Sequence, residues 1–204
     1  MKVGTDGVLL GAWAHGGRRL LDAGTGTGVI ALMLAQRFAE GQVTAIDIDE
    51  GAVRQATENV GKSPFADRVT VRQASLQEHE GEYDAVVCNP PFFISSLKAP
   101  DEQRSIARHA TTLSYEELMQ AAWRLLADGG ELSVVVPFDY RKRMEDEATM
   151  VGFFPSRVCA VRTTENKPVR RYLLAFRKHP CRCEKEELTI GSEAYRQLTG
   201  DFYL

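Results

Sequence analysis

The segment Asp22-Ala23-Gly24-Thr25-Gly26-Thr27-Gly28 constrains this chain more than any other. Before it, Arg19-Leu20-Leu21-Asp22 reads as a short strand; after it, Val29 to Phe38 carries helical apolar spacing, closed by Gly41. The alternation continues. Gln42 to Ile48 reads as a strand, Glu50 to Val60 as a helix, and Arg68 to Gln73 and Tyr83 to Cys88 as two further strands. A long loop covers Asn89 to Leu113. Ser114-Tyr115-Glu116-Glu117 is a capping box, opening a helix to about Ala127 that Gly129-Gly130 ends. Then come a strand at Glu131 to Pro137, a helix at Tyr140 to Val151, and strands at Ser156 to Val161 and Arg170 to Arg177. Strands alternating with helices imply βαβ units and a sheet covered on both faces. The last two strands have no helix between them, which suits an antiparallel hairpin at one edge. The expected fold is α/β and doubly wound: a mainly parallel seven-stranded sheet with a C-terminal antiparallel hairpin. It forms a single domain over 1–204, with 180–204 as a tail.

The chain length of 204 residues suits one domain of ordinary size. The net charge of −3 gives no global basic signature, so contact with nucleic acid must come from local patches. Arg141-Lys142-Arg143, Arg170-Arg171 and Arg177-Lys178 are the candidates. Cys181 and Cys183 have C-x-C spacing without the partner pair of a zinc site, and the histidines are scattered, so no metal is expected. With Cys88 and Cys159, they read as free thiols of a reducing cytoplasm. The apolar run from Val8 to Ala14 is too short, and too broken by Asp6 and glycines, for a signal peptide, and no segment approaches transmembrane length. A cytoplasmic protein without membrane contact is expected.

Ligands of open parallel sheets sit beyond the carboxyl ends of the strands, at the switch in strand order. The turn from Asp22 to Gly28 borders that crevice, and its glycines permit close backbone approach to a ligand. Asp47 ends the second strand, where a carboxylate can accept hydrogen bonds from both ribose hydroxyls. Together these residues specify a nucleoside-containing cofactor. Gly26, Gly28 and Ala31 also fit the dinucleotide pattern G-x-G-x-x-A with Asp47 downstream, so a nicotinamide-dependent oxidoreductase competes. Against it, Asp22 makes the turn D-x-G-x-G-x-G. A carboxylate there repels a pyrophosphate and suits the cationic amino-acid moiety of S-adenosylmethionine.

Asn89-Pro90-Pro91-Phe92-Phe93 follows the apolar strand Tyr83 to Cys88. Two prolines cannot continue a strand, because each lacks an N–H and fixes its own φ. The chain leaves the sheet rigidly there, with an amide at the exit and aromatics beyond. A stiff turn with buried phenylalanines is the plain alternative. The functional reading is a site that holds the amino group of a planar substrate.

Three segments carry a family resemblance. Asp22 to Gly28 is similar to the first motif of class I methyltransferases, which have a Rossmann-like fold, and Asn89-Pro90-Pro91-Phe92 to their motif for methylating amino groups. Lys2-Val3-Gly4-Thr5-Asp6-Gly7-Val8-Leu9-Leu10-Gly11-Ala12-Trp13 closely resembles the opening of bacterial tRNA1(Val) (adenine(37)-N6)-methyltransferases. Arg108-His109 and Asp201-Phe202-Tyr203-Leu204 look like that family too, so the resemblance spans essentially the whole chain. It implies methyl transfer from S-adenosylmethionine to the exocyclic N6 of adenosine 37, beside the anticodon of a tRNA. The N-P-P motif by itself also serves guanine N2 in ribosomal RNA and glutamine side chains in proteins.

By the same resemblance, Asn89 and Pro90 would accept the amine hydrogens, and Phe92 would stack on the base. Pro91 and Phe93 would bind the substrate, and Arg108 and His109 would line the substrate loop or, read on their own, sit at the surface. Cofactor contacts would come from Asp22, Gly24, Gly26, Gly28, Asp47 and Ser75, and from Thr5 and Asp6 in an N-terminal pocket segment over 1–17. Thr5 and Asp6 read equally well as caps of a first helix. The expected partner is the anticodon stem-loop of a tRNA, bound by a monomer. Family members carry a further stretch ahead of the Lys-Val-Gly-Thr-Asp segment, so a shortened or misassigned start is expected here.

Overall fold

The computed structural model describes residues 4–90 and 113–202. Its strands are β1 (Arg19–Ala23), β2 (Gln42–Asp47), β3 (Val69–Gln73), β4 (Tyr83–Cys88), β5 (Leu126–Pro137), β6 (Phe154–Arg162), β7 (Val169–Arg177) and β8 (Glu184–Thr189). Among the described residues they form one eight-stranded sheet in the order β3-β2-β1-β4-β5-β7-β6-β8. The first five run parallel, β7 is antiparallel to both β5 and β6, and β8 is parallel to β6. The helices are α1 (Thr5–Trp13), α2 (Val29–Arg37), α3 (Glu50–Gly61), α4 (Tyr115–Leu125), α5 (Arg141–Val151) and α6 (Glu193–Thr199).

The sheet has eight strands, not seven. The additional strand lies in the stretch expected to be a tail, and its sequence explains why it escapes notice. Glu184-Lys185-Glu186-Glu187-Leu188-Thr189 has no apolar alternation, and Leu188 is its sole buried residue. It is an edge strand with a charged outer face, a common device against edge-to-edge association. A second difference concerns β5, which starts at Leu126 rather than Glu131. Leu126 pairs with Tyr83, and the register then slips so that Ala85 pairs with Glu131. The extra residues, Gly129-Gly130 among them, form an irregularity inside the strand rather than a helix end.

Strand alternation feeds two cores. Val86, Leu132, Val134, Tyr172, Leu174 and Phe176 point to the face covered by α4 and α5. Ala85, Val87, Val135, Leu173 and Ala175 point to the opposite face, with α1 and α2. Gly7 and Gly11 explain the close seating of α1 on α2. A β-carbon on Gly7 would stand 3.3 Å from Val29, and one on Gly11 2.8 Å from the Met33 sulfur, so larger side chains would push the helices apart. Leu198 and Phe202 then pack on Val8, Ala12 and Met33. Trp13 donates its indole N–H to Glu186 Oε2 at 2.9 Å, tying α1 to β8.

At the amino edge of the sheet, buried Glu131 gathers three donors. Arg157 Nη2 reaches Oε1 at 2.7 Å; Arg177 Nε and Ser156 Oγ reach Oε2 at 2.9 and 3.0 Å. The Arg157 guanidinium also lies 3.9 Å from the centre of the Trp13 ring. This network fixes β5, β6, β7 and the end of α1 to one another. It faces away from the carboxyl edge, where the candidate site lies.

Candidate active site

β1 lies between β2 and β4, so strand order reverses there. A crevice must open at that point beyond the carboxyl ends. The loop leaving β1 turns across β2: the N–H groups of Gly24 and Thr25 both donate to the Ile46 carbonyl at 2.9 Å. Gly24, Gly26 and Gly28 have φ of 73°, 56° and 83°, the left-handed region that side chains disfavour. Gly24 also faces open space, with nothing within 4 Å of where a β-carbon would stand.

Asp22 holds this loop from beneath. It is fully buried, and its Oδ2 accepts from Thr25 Oγ1 at 2.6 Å and from the Ala31 N–H at 3.0 Å, near the start of α2. Its Oδ1 has no hydrogen-bond partner among the described residues. Burial pushes its carboxyl from 3.8 up to about 7; the Thr25 and Ala31 hydrogen bonds oppose the rise, and the charge of Asp47 adds to it. Asp22 is not itself among the residues lining the cavity; bonded to Thr25 and to the Ala31 N–H, it holds the loop whose Gly24 and Gly26 do line it. Gly28, the residue preceding α2, does not line it either.

The cavity above the loop measures about 920 Å³. Gly24, Gly26, Asp47, Ser75 and Asn89 all line it. These five were named from sequence, and they come from the ends of four different strands. Half-buried Asp47 takes the Gly26 N–H on Oδ2 at 2.9 Å and the Asp49 N–H on Oδ1 at 3.0 Å. Each oxygen keeps a second lone pair for a hydroxyl donor. Ser75 Oγ is engaged with Glu78, donating to its carboxylate at 3.1 Å. Sequence reasoning missed Ile48, Leu76 and the start of α3 at Gly51 and Ala52, which complete the wall. Ile48 is 52% exposed, an unusual cost for an isoleucine unless it presents a face to a flat ligand. Its place directly after the acidic strand end was the available signal.

At the other end of the cavity, β4 delivers Cys88 and Asn89. Asn89 Oδ1 is shielded from solvent and has no hydrogen-bond partner among the described residues. Leaving a buried acceptor unmatched costs about 1–3 kcal/mol, which marks this oxygen as waiting for a donor. Pro90 is buried beside it. Burial pushes the Cys88 thiol up, so it is no nucleophile. Tyr115, at the start of α4, also has a buried hydroxyl without a partner among the described residues.

Thr5 and Asp6 do not line the cavity. Asp6 is ion-paired with Arg171 at the start of β7, further along the same edge of the sheet. Pro91, Phe92, Phe93, Arg108 and His109 lie outside the described residues. Among the described residues, no group of three or more His, Cys, Asp or Glu side chains is arranged to hold a metal. Nor is any described helix long and apolar enough to cross a membrane.

A parallel sheet reversing at β1, a glycine loop over its edge and a carboxylate closing the second strand together define a Rossmann-like domain for a nucleoside ligand. The family model described as "Methyltransferase small domain" matches residues 4–157. A tRNA1(Val) (adenine(37)-N6)-methyltransferase from Parabacteroides distasonis is 46% identical, with 100% of this chain and 91% of that protein covered. Its counterpart from Flavobacterium psychrophilum is 42% identical, with 100% and 93% covered. The chain thus belongs to the methyltransferase small-domain family and, within it, groups with the tRNA1(Val) (adenine(37)-N6)-methyltransferases. Among solved structures, a predicted O-methyltransferase from Agrobacterium tumefaciens superposes with a TM-score of 0.73 at 17% identity, over 96% of each chain. TrmN from Thermus thermophilus gives 0.61 at 24% identity, over 84% of this chain and 47% of that one. Both likenesses concern the fold.

Proposed function

We propose that this chain transfers a methyl group from S-adenosylmethionine to the N6 amine of adenosine 37 in a tRNA, beside the anticodon of tRNA1(Val). The carrying observation is the unmatched, shielded Oδ1 of Asn89 at the wall of the cavity that also contains Asp47 and the glycine loop. The names of the relatives, at 46% and 42% identity, support adenine as the amine and tRNA as its carrier.

The residues present fit the cofactor. Asp47 offers lone pairs for ribose hydroxyls, Ile48 and Leu76 offer apolar surface for a purine, and the open face of Gly24 admits close approach. When bound, S-adenosylmethionine supplies an electrophilic methyl group on its sulfonium. The protein must present the amine to it. An exocyclic adenine amine is a weak nucleophile because its lone pair is delocalised into the ring. Asn89 Oδ1 and the Pro90 carbonyl each accept one amine hydrogen and turn the nitrogen lone pair toward the methyl carbon. The fixed φ of Pro90 holds these acceptors in advance, and positioning of this kind contributes up to roughly 7–11 kcal/mol. Held against Gly24, Asp47 and Ile48, the cofactor would supply the methyl group and keep the S–C electron pair as a thioether, and the methylated amine would release one proton to water. No strong general base is needed. An adenosine in a loop also suits the site, since unstacking it costs less than extracting a base from a duplex.

Methyl-labelled S-adenosylmethionine, total tRNA and nucleoside analysis test the proposal. N6-methyladenosine confined to position 37 of a valine tRNA is the expected product. Label on guanine N2 or on protein glutamine would refute the substrate assignment while keeping amine methylation. No transfer to any amine would refute both.

A further inference from the structure

Beyond Asn89, on the side away from the cofactor cavity, the sheet edge carries an aromatic and cationic patch. Phe138 follows directly on β5 and is 53% exposed. It stacks on Tyr172 of β7, with ring centroids 6.0 Å apart and planes 30° from parallel. Tyr172 is 9% exposed and lies under the Arg141 guanidinium, 4.3 Å from its ring centre. Glu145 fixes that guanidinium through a 2.9 Å hydrogen bond to Nε. One face of the stack is therefore built in, and Phe138 is its outermost layer.

The charges around it are unevenly matched. Arg141, Lys142 and Arg171 are paired with Glu145, Asp146 and Asp6. Arg143 and the exposed Arg170 have no carboxylate partner among the described residues; Arg143 lies over the Tyr115 ring at 5.8 Å. Arg170 is exposed at an irregularity in the β6–β7 pairing, two residues before Tyr172. Asp139 is the one carboxylate in the Phe138–Arg143 segment.

The patch also lies at the right place. Cys88 pairs with Val134, and β5 runs three residues further, to Pro137, roughly 10 Å beyond the end of β4, with Phe138 directly after it. An exposed aromatic on a rigid stack, flanked by unpaired arginines, is the arrangement that holds a base and its phosphates in single-stranded RNA.

We infer that Phe138 is a stacking platform for a nucleotide adjoining the methylated adenosine, with Arg143 and Arg170 on the neighbouring phosphates. This rests on the function proposed above and adds the surface that receives the rest of the loop. The platform reads no base identity; it fixes where the RNA strand runs once the target base has entered at Asn89.

The test uses a synthetic RNA hairpin carrying the valine anticodon loop, and versions in which each neighbour of adenosine 37 is abasic. Loss of one stacked base corresponds to roughly 5- to 150-fold in affinity. Phe138→Ala is expected to weaken hairpin binding by that amount, Phe138→Trp to restore it, and S-adenosylhomocysteine affinity to stay unchanged in both. One abasic hairpin should bind wild type and Phe138→Ala equally. Arg170→Ala is expected to lower the salt dependence of binding by about one phosphate contact, a slope change of about 0.7. Hairpin binding by Phe138→Ala within twofold of wild type overturns the platform, as does a change in oligomeric state with RNA affinity intact, which would assign the patch to a second copy. Wild type that neither binds nor methylates the hairpin overturns the proposed function and the platform together.

Discussion

Replacing Asp22 by asparagine is expected to remove a loss of stability that the wild-type protein suffers as pH rises. The folded protein holds the Asp22 proton up to about pH 7, against 3.8 for the ordinary group, chiefly because burial disfavours the charge. Between those values the folded state binds a proton that the unfolded state has released, so raising pH withdraws stability. The contribution is fully present below pH 3.8 and gone above about 7. From pH 5 to pH 7 the unfolded chain has lost this proton while the folded group gives it up only near 7, so the change is roughly 2 kcal/mol. Asparagine keeps an oxygen for Thr25 Oγ1 and the Ala31 N–H but cannot ionise. Urea unfolding of both ligand-free proteins at pH 5, 6 and 7 measures the effect. The wild-type midpoint should fall relative to the variant by roughly 1 M, for a urea slope of about 2 kcal/mol/M. Other titrating groups cancel in that difference. If the gap between the two proteins stays constant to within about 0.5 kcal/mol, Asp22 is already ionised in the fold and the account of the buried loop is wrong.

Asn89→Ala is expected to leave S-adenosylhomocysteine affinity within a few-fold, by calorimetry, while methyl transfer to tRNA drops at least about a hundredfold; near wild-type turnover would remove Asn89 from the mechanism. Ile48→Ala should weaken S-adenosylhomocysteine about tenfold, from lost apolar contact worth about 1.4 kcal/mol, with little change in thermal stability because Ile48 is already 52% exposed. Arg157→Met leaves the buried Glu131 without its shortest partner, a loss of about 3–5 kcal/mol, and melting should fall by roughly 6–20 °C. A melting change under about 2 °C would show that Arg177 and Ser156 suffice.

The legible parts of this chain were those whose backbone chemistry is exclusive. Left-handed φ at Gly24, Gly26 and Gly28 requires glycine, so the loop could be read directly, and with it the crevice and Asp47. Proline at 90 stops β4 for an equally local reason. What could not be read depends on partners distant in sequence. Leu188 gives β8 a single buried side chain, and only pairing with β6 makes those residues a strand. That Asp22 also anchors its loop, through Thr25 and the Ala31 N–H, depends on how α2 is placed and could not be read from its residue type. Ile48 reads as the last residue of a strand, and the end of β2 one residue earlier, at Asp47, turns it into cavity wall. Glu131, Arg157 and Arg177 become a network only through register, at separations of 26 and 46 residues.

The contacts of α1 set an order of assembly. Its partners include Glu186 through Trp13, Arg157 stacked on the same indole, and Leu198 and Phe202. Trp13 and Glu186 are 173 residues apart. During synthesis, α1 emerges well before β8 and α6, the elements that cover it. Its glycine face can meet α2 early, but its outer side stays uncovered until β8 and α6 arrive. Closing so long a loop is entropically unfavourable until the intervening sheet has formed and drawn its ends together. Helix α1 is therefore expected to be fully locked only after β8 and α6 have docked, and a ribosome stalled before residue 184 is expected to hold a sheet on which α1 is still loosely seated.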